Sequence, residues 1–184
     1  MCKPTQTNFS LFHILIFISV FFLLTPNFVQ AVSLGLQTNF YIDKNYDLTE
    51  QQEITASLQR IGFDAYFYIE NQWWAGLDRE EQDEVKESLK DLDNEFHNNI
   101  YPTLRKTFGS EWKPGIDRDD RVFILFHPMA DNGGGYFREN DQYLKIQVPD
   151  SNEREMLYLN TDFINFSIEK SFLAHEFTHL ITFN

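Results

Sequence analysis

The feature that most constrains the fold of this chain lies near residue 180, where His175, Glu176 and His179 form the pattern H-E-x-x-H. Each residue of an α-helix advances by about 100°, so residues four apart return to nearly the same face. Both imidazoles would therefore point to one side, one turn apart, with Glu176 beside them. The pattern predicts a helix that presents two nitrogen ligands to one metal ion, with a carboxylate close enough to hold a metal-bound water.

The chemistry of zinc matches these residue types. A catalytic zinc site uses three protein ligands and keeps one position for water. The metal lowers the pKa of that water and polarises a carbonyl oxygen, and a nearby carboxylate serves as general base. We therefore expect His175 and His179 to bind zinc and Glu176 to act as the base. Apolar residues flank the motif, which favours a buried helix over an exposed helix that carries the motif by chance: Phe172, Leu173, Ala174, Leu180 and Ile181.

The third zinc ligand is not evident from the sequence. Metzincins continue the motif to a glycine at position 182 and a further histidine three positions on, but position 182 is Thr182, which excludes that class. In gluzincins the third ligand is a glutamate on a later helix, which would lie past Asn184. We therefore expect the sequence to be a fragment that ends just after its active-site helix, with an incomplete site.

Residues 1–31 are typical of a secretory signal peptide. Lys3 supplies a weak positive start, Phe9–Leu24 is an apolar run of 16 residues, and Val29–Ala31 offers small residues for cleavage. The run is shorter than the roughly 20 residues that span a bilayer as a helix. The prediction is a protein secreted to the extracellular space or periplasm, without stable membrane association after cleavage. An uncleaved membrane anchor is the alternative.

The predicted mature region, residues 32–184, is strongly acidic. Removing Lys3 from the 15 Lys and Arg leaves 14 against 28 Asp and Glu, a net charge of −14. Such a surface repels nucleic acid and anionic membranes, so a nucleic-acid partner is excluded. Cys2 lies within the predicted signal, so no disulfide framework or thiolate chemistry is expected.

Alternating apolar residues and turn residues predict several strands. Residues 53–61 and 64–70 are expected to form a β-hairpin, although 53–61 also fits a helical stripe. Residues 32–52 read as a loop or edge strand, and Trp73 and Trp74 as a turn that caps the edge of the core. The remaining strand candidates are residues 122–126, 143–148 and 156–159.

Three helices are predicted. Asp78 followed by Glu81 is a capping signal for a helix that runs to about Asn99. Its apolar residues lie on one stripe that would face a sheet: Val85, Leu89, Leu92, Phe96 and Ile100. Tyr101 and Pro102 are expected to end this helix, and a shorter one follows over residues 103–108. The helix with the H-E-x-x-H motif should begin near Ser167.

Three further features have a plain structural interpretation beside a functional one. Asp117, Asp119 and Asp120 resemble the start of a calcium loop, but the central glycine and the final glutamate are missing, which favours an acidic turn. His127 closes a predicted strand and is read as an ordinary strand-end histidine. Gly133–Gly135 allow positive φ and close backbone approach, and they either turn the chain or border a substrate cleft.

Several stretches together resemble the hyicolysin-type secreted neutral metallopeptidases, a bacterial family of gluzincin-like proteases. They cover most of the predicted mature region: DAYFYIENQWW (64–74), NNIYPTLRKTFG (98–109), IDRDDRVFILF (116–126), GGYF (134–137), SNEREMLYLN (151–160) and FLAHEFTHLITFN (172–184). The resemblance implies zinc-dependent endopeptidase activity outside the cell. It assigns the ligand role to His175 and His179 and the base role to Glu176, and it puts the remaining ligand beyond Asn184.

We therefore expect an α+β fold, a zincin-like N-terminal subdomain in which a mixed twisted sheet is backed by helices and the H-E-x-x-H helix lies beneath the edge of the sheet. The expected reaction is hydrolysis of peptide bonds in a protein or peptide substrate by a zinc-activated water. Two alternatives stay open: a secreted non-catalytic binding domain with a degenerate zinc site, and a zinc hydrolase of non-peptide substrates.

Overall fold

The computed structural model describes residues 32–130 and 133–183, and within them six strands form one mixed sheet. The chain divides into two units, residues 1–32 and 33–184, and every element below belongs to the second. The predicted signal peptide lies outside the described residues. The strands are β1 Gln37–Tyr41, β2 Glu53–Ile61, β3 Ala65–Glu70, β4 Val122–His127, β5 Gly135–Tyr136 and β6 Met156–Asn160.

The strands lie in the order β1-β2-β3-β4-β6-β5. β1, β2 and β3 pair antiparallel, β3, β4 and β6 run parallel, and β5 returns antiparallel on the outer side of β6. The predicted hairpin of residues 53–61 and 64–70 is confirmed as β2 and β3, with a register shift between Leu58 and Arg60. The predicted α+β class with a mixed sheet is also confirmed.

Four α-helices are present in the described residues: α1 Asn71–Gly76, α2 Arg79–Glu95, α3 Tyr101–Phe108 and α4 Glu169–Phe183. Asp78 caps α2 as predicted, because its carboxylate accepts from the backbone N–H of Glu81 at 3.0 Å and the Glu81 carboxylate accepts from the N–H of Asp78 at 2.7 Å. The predicted apolar stripe of this helix is buried.

Two cores lie on opposite faces of the sheet, because successive side chains of a strand point to opposite faces. The helix-side core holds Phe67 and Ile69 of β3 with the buried faces of α2 and α4. The far-side core holds Tyr66 and Tyr68 with side chains of β1 and β2. The central strands are therefore buried on both faces, which explains why β3, β4 and β6 read as almost continuous apolar runs.

Two local predictions about the helical segments are wrong. Tyr101 and Pro102 do not end a helix, because α2 continues through a π-helical turn, Phe96–Ile100, directly into α3. Pro102 lies in the first turn of α3, where a missing N–H costs little. The segment of Trp73 and Trp74 is the short helix α1 rather than a turn, although both rings pack against the helix-side core as expected.

The predicted strand over residues 143–148 is also wrong, since this segment forms turns. Its backbone is satisfied locally: the N–H groups of Gln147 and Val148 both donate to the carbonyl of Leu144, at 2.8 and 3.0 Å. Ile146 is 90% exposed, so the alternation of apolar residues here does not serve a buried sheet face. The position beside β6 is taken by β5. Among the described residues, no helix is long and apolar enough to cross a membrane.

Candidate metal centre on the last helix

Helix α4 carries the predicted site residues and packs under the β5–β6 edge of the sheet. It begins at Glu169, two residues after the predicted start. Leu173, Phe177 and Leu180 are fully buried in the helix-side core. Phe177 contacts the ring of Phe96 edge-on, with 5.0 Å between centroids. This packing fixes the rotation of α4, so the opposite side of the helix faces solvent.

The two predicted ligands lie together on that exposed side. The Nε2 atoms of His175 and His179 are 3.1 Å apart, and the rings stand at 83° to each other. Two imidazole nitrogens at about 2.05 Å from a tetrahedral zinc ion would be about 3.3 Å apart. The donor type and the spacing therefore both fit one zinc ion held between these nitrogens.

Glu176 lies next to the two histidines on the wheel of α4, about 60° from His179, but is turned towards the sheet. Its side chain is 6% exposed and faces the edge strand β5, where a Cβ built on Gly135 would lie 3.1 Å from its Cγ. Burial raises the pKa of Glu176, and the charge of His175 lowers it in part. The helix thus presents the histidines to solvent and the carboxyl group to a desolvated position next to the sheet edge.

Gly134 and Gly135 are required by close approach and not by backbone angle. None of Gly133, Gly134 and Gly135 has positive φ, so the conformational freedom that these glycines allow is not used here. A Cβ on Gly134 would lie 2.3 Å from the ring of Phe172, and one on Gly135 would lie 2.6 Å from the carbonyl oxygen of Tyr158. Sequence reasoning favoured a simple turn here; the structure instead places this segment against α4.

Asn160, at the end of β6, holds this glycine segment in place and was missed by sequence reasoning. It is fully buried, its side-chain amide donates to the Gly133 carbonyl at 2.9 Å, and its backbone N–H donates to the Gly134 carbonyl at 3.1 Å. Alternate residues of a strand direct their backbone groups to the same neighbour. Gly134 and Tyr136 therefore face β6, and the N–H and C=O of Gly135 point to the free edge.

His127 does not join the two helix histidines. It is fully buried on the far side of the sheet, with Nδ1 3.4 Å from Asp47 Oδ2 and Nε2 3.1 Å from the Tyr136 hydroxyl. The acidic loop is held by its own turns, in which Asp117 and Asp119 accept from backbone N–H groups two residues on, at 2.9 and 3.0 Å. Both features have the structural role that the sequence favoured.

Across residues 32–130 and 133–183, no group of three or more His, Cys, Asp or Glu side chains is arranged to hold a metal ion. Within the described part of the chain, His175 and His179 lie together without a third such side chain arranged beside them. No protein-family model matches the chain, and no curated protein matches it either.

Proposed function

We propose that this chain belongs to a secreted zinc-dependent endopeptidase of the hyicolysin type, with a zincin-like arrangement of α4 under the sheet edge. The observation that carries the proposal is the pair of imidazole nitrogens of His175 and His179, 3.1 Å apart, with the buried carboxyl group of Glu176 next in sequence. Two histidines one helical turn apart with an adjacent glutamate is the ligand-and-base pattern of zinc hydrolases.

His175 and His179 would hold zinc through Nε2, and a further ligand would come from outside the described residues. Bound zinc would lower the pKa of a water molecule and polarise the substrate carbonyl. Imidazole binds zinc only in its neutral form, so acid is expected to release the metal. The exposed position of both rings leaves room for a ligand and a substrate on the solvent side.

Glu176 would act as general base. A base works best when its pKa lies near the working pH, and burial shifts the pKa of this carboxyl upward from its ordinary value. The carboxylate would accept a proton from the attacking water and donate it to the leaving amine. The same burial excludes bulk water from the side of the base that faces β5.

A peptide is favoured as substrate because a free strand edge lies beside the base. The backbone N–H and C=O of Gly135 point away from β6 and have no neighbouring strand within the described residues. An extended peptide can add to such an edge through main-chain hydrogen bonds. This edge would hold the scissile bond next to Glu176, whereas an ester or another small substrate would make no use of it.

Calorimetric titration of Zn²⁺ into the purified chain, together with cleavage of casein, a peptide and an ester, tests the proposal. Zinc binding should be lost in His175→Ala and retained in His97→Ala, whose exposed imidazole pairs with Asp64 away from the site. Ester cleavage without peptide cleavage would indicate a non-peptide hydrolase. If the chain binds no zinc, or binds zinc equally well after His175→Ala, the result would indicate a non-catalytic binding domain.

A further inference from the structure

A line of three buried polar side chains crosses the far-side core and ends on β5. Asp47 is 3% exposed, His127 0% and Tyr136 5%. Asp47 Oδ2 lies 3.4 Å from His127 Nδ1, and His127 Nε2 lies 3.1 Å from the Tyr136 hydroxyl. We call these three residues the Asp–His–Tyr series. It connects the loop after β1, the end of β4 and the edge strand β5.

The hydrogen bonds of the series are mutually consistent. The backbone N–H of Asp43 donates to the Tyr136 oxygen at 3.3 Å, which leaves the Tyr136 O–H free to donate to His127 Nε2. A neutral imidazole that accepts at Nε2 carries its proton on Nδ1, which faces the carboxylate of Asp47. The Tyr136–His127 contact is thus a matched donor and acceptor pair, whereas His127 Nδ1 lies 3.4 Å from Asp47 Oδ2 at ion-pair distance without making a hydrogen bond.

Asp47 anchors the far end of the series. Its Oδ1 accepts from the backbone N–H groups of Thr49 and Gln51, both at 2.9 Å. Burial alone would raise the pKa of Asp47, but the nearby His127 and the hydrogen bonds from Gln51 and Thr49 lower it to about 2. The carboxylate is thus a fixed, ionised acceptor on a loop that is tied to the chain next to β4 by the bridge between Asp47 and Met129.

Tyr136 determines where β5 lies, because this strand has only two residues. Its ring stacks between Tyr46 and Tyr158, with centroids 4.5 and 4.4 Å away. Tyr136 points to the far-side core, so a Cβ on the adjacent Gly135 would point to the α4 side, where it would lie 3.1 Å from Glu176 Cγ. A displacement of Tyr136 therefore moves the backbone that lies against the proposed base.

We infer that Tyr136 is a positioning residue: the Asp–His–Tyr series holds the backbone of β5 at its place beside Glu176 from the opposite face of the sheet. The inference rests on the proposed function for its catalytic meaning. The structural part of the inference can be tested separately, because the location and order of β5 are measurable whether or not the chain cleaves peptides. If the Tyr136 hydroxyl served only the general stability of the core, its removal would loosen β5 no more than the other strands.

Tyr136→Phe in the full chain removes the hydroxyl and keeps the ring stack. Amide hydrogen exchange followed by mass spectrometry should show exchange of residues 133–137 at least about tenfold faster than in the parent chain, with β3 unchanged. Tyr66→Phe is the matched control, because Tyr66 is a buried tyrosine on β3 whose hydroxyl donates to Asp119 at 2.9 Å, three strands away from β5. This control should leave exchange at residues 133–137 unchanged.

In a peptide-cleavage assay well below the unfolding temperature, Tyr136→Phe should raise KM for a long peptide about fivefold or more, with unchanged zinc affinity. Unchanged exchange at residues 133–137, or equal loosening in Tyr66→Phe, overturns the inference even if the parent chain is active. Selective loosening supports it even if the parent chain neither binds zinc through His175 nor cleaves a peptide, a result that overturns the proposed function alone. If Tyr136→Phe does not fold, Asp47→Asn at the other end of the series should loosen the same segment.

Discussion

Gly135 on β5 faces Glu176 on α4, and the absence of a side chain on the glycine leaves room for the glutamate side chain. A Cβ on Gly135 would lie 3.1 Å from Glu176 Cγ and 2.6 Å from the Tyr158 carbonyl oxygen. The second distance involves backbone, which cannot rotate away. The approach of the sheet edge to the motif helix therefore depends on the absence of a side chain at this position.

Gly135→Ala should lower the free energy of unfolding by about 1–3 kcal/mol, the range for overpacking a closely packed site. It should also lower peptide cleavage, because β5 must move away from Glu176. Urea denaturation measures the first effect. Gly76→Ala is the control, since a Cβ on Gly76 would meet nothing within 4 Å. Equal stability of the Gly135→Ala and parent chains would contradict the close approach.

Glu176→Gln should abolish cleavage and keep zinc. The amide preserves the size of the side chain but cannot accept the proton, and loss of a general base costs about 10²–10⁴ in rate. His175→Ala should lose both zinc and cleavage. Zinc calorimetry and a casein assay on the same preparations measure the two properties. Glu169→Gln makes the same chemical change elsewhere on α4 and should retain both; normal cleavage by Glu176→Gln would show that the base is another group.

Glu169 should make the fold less stable as pH rises. It is 2% exposed, neither carboxyl oxygen has a hydrogen-bond partner, and burial raises its pKa from 4.5 to about 8. The folded state therefore keeps this proton between pH 4.5 and 8 while the unfolded chain loses it. Across that window the free energy of unfolding should fall by up to about 1.4 kcal/mol per pH unit from this group.

Glu169→Gln should remove that contribution, because the amide does not titrate. At pH 7 the variant is expected to be more stable than the parent by about 1–3 kcal/mol, and near pH 4 the two should be similar. Urea midpoints from pH 4 to 8 measure the difference. Glu84→Gln, on the exposed face of α2, should follow the parent at every pH. Parallel profiles for Glu169→Gln and the parent would show that Glu169 is ionised in the fold.

Asp93 should be the most costly acidic residue to remove from α2. It is fully buried, its Oδ2 accepts from Arg60 Nε at 2.9 Å and Nη2 at 2.7 Å, and its Oδ1 accepts from the Phe63 backbone at 3.3 Å. Asp93→Ala leaves these donors unpaired and should cost about 3–5 kcal/mol.

The exposed pair of Asp83 and Lys86 on the same helix is the control for Asp93. Its atoms are also 2.7 Å apart, but both side chains are about half exposed or more. Asp83→Ala should cost no more than about 0.5 kcal/mol. Thermal or urea unfolding compares the two variants, and a similar loss in both would mean that burial does not set the strength of the Asp93 pair.

Features that depend on neighbours in the chain were predictable from the sequence. The capping box at Asp78, the buried stripe of α2 and the β2–β3 hairpin follow from spacing and local hydrogen bonds. The pairing of His175 and His179 on one side of α4 also follows from the helical period alone. These predictions succeeded because the helical and strand periods set which side chains share a face before any packing occurs.

The errors arose where local patterns permit two outcomes. Residues 143–148 alternate like a strand but form turns, because β5 pairs with β6 and the Leu144 carbonyl satisfies the local N–H groups. Pro102 reads as a helix end, yet the π-helical turn before it places it in the first turn of α3. In both cases long-range packing selected between conformations that the local sequence allows.

The sequence by itself determined the mixed α+β class. It also determined that the imidazoles of His175 and His179 and the carboxyl group of Glu176 come from one helix, because all three lie within one helical turn and a half. Only the tertiary structure decided that the histidines are exposed while the glutamate is buried, that Gly135 and Asn160 lie at the sheet edge next to α4, and that the Asp–His–Tyr series supports that edge from the far side of the sheet. Those residues come from separate strands and loops. Their meeting depends on the order of strands in the sheet and on packing across both of its faces, which no spacing along the chain encodes.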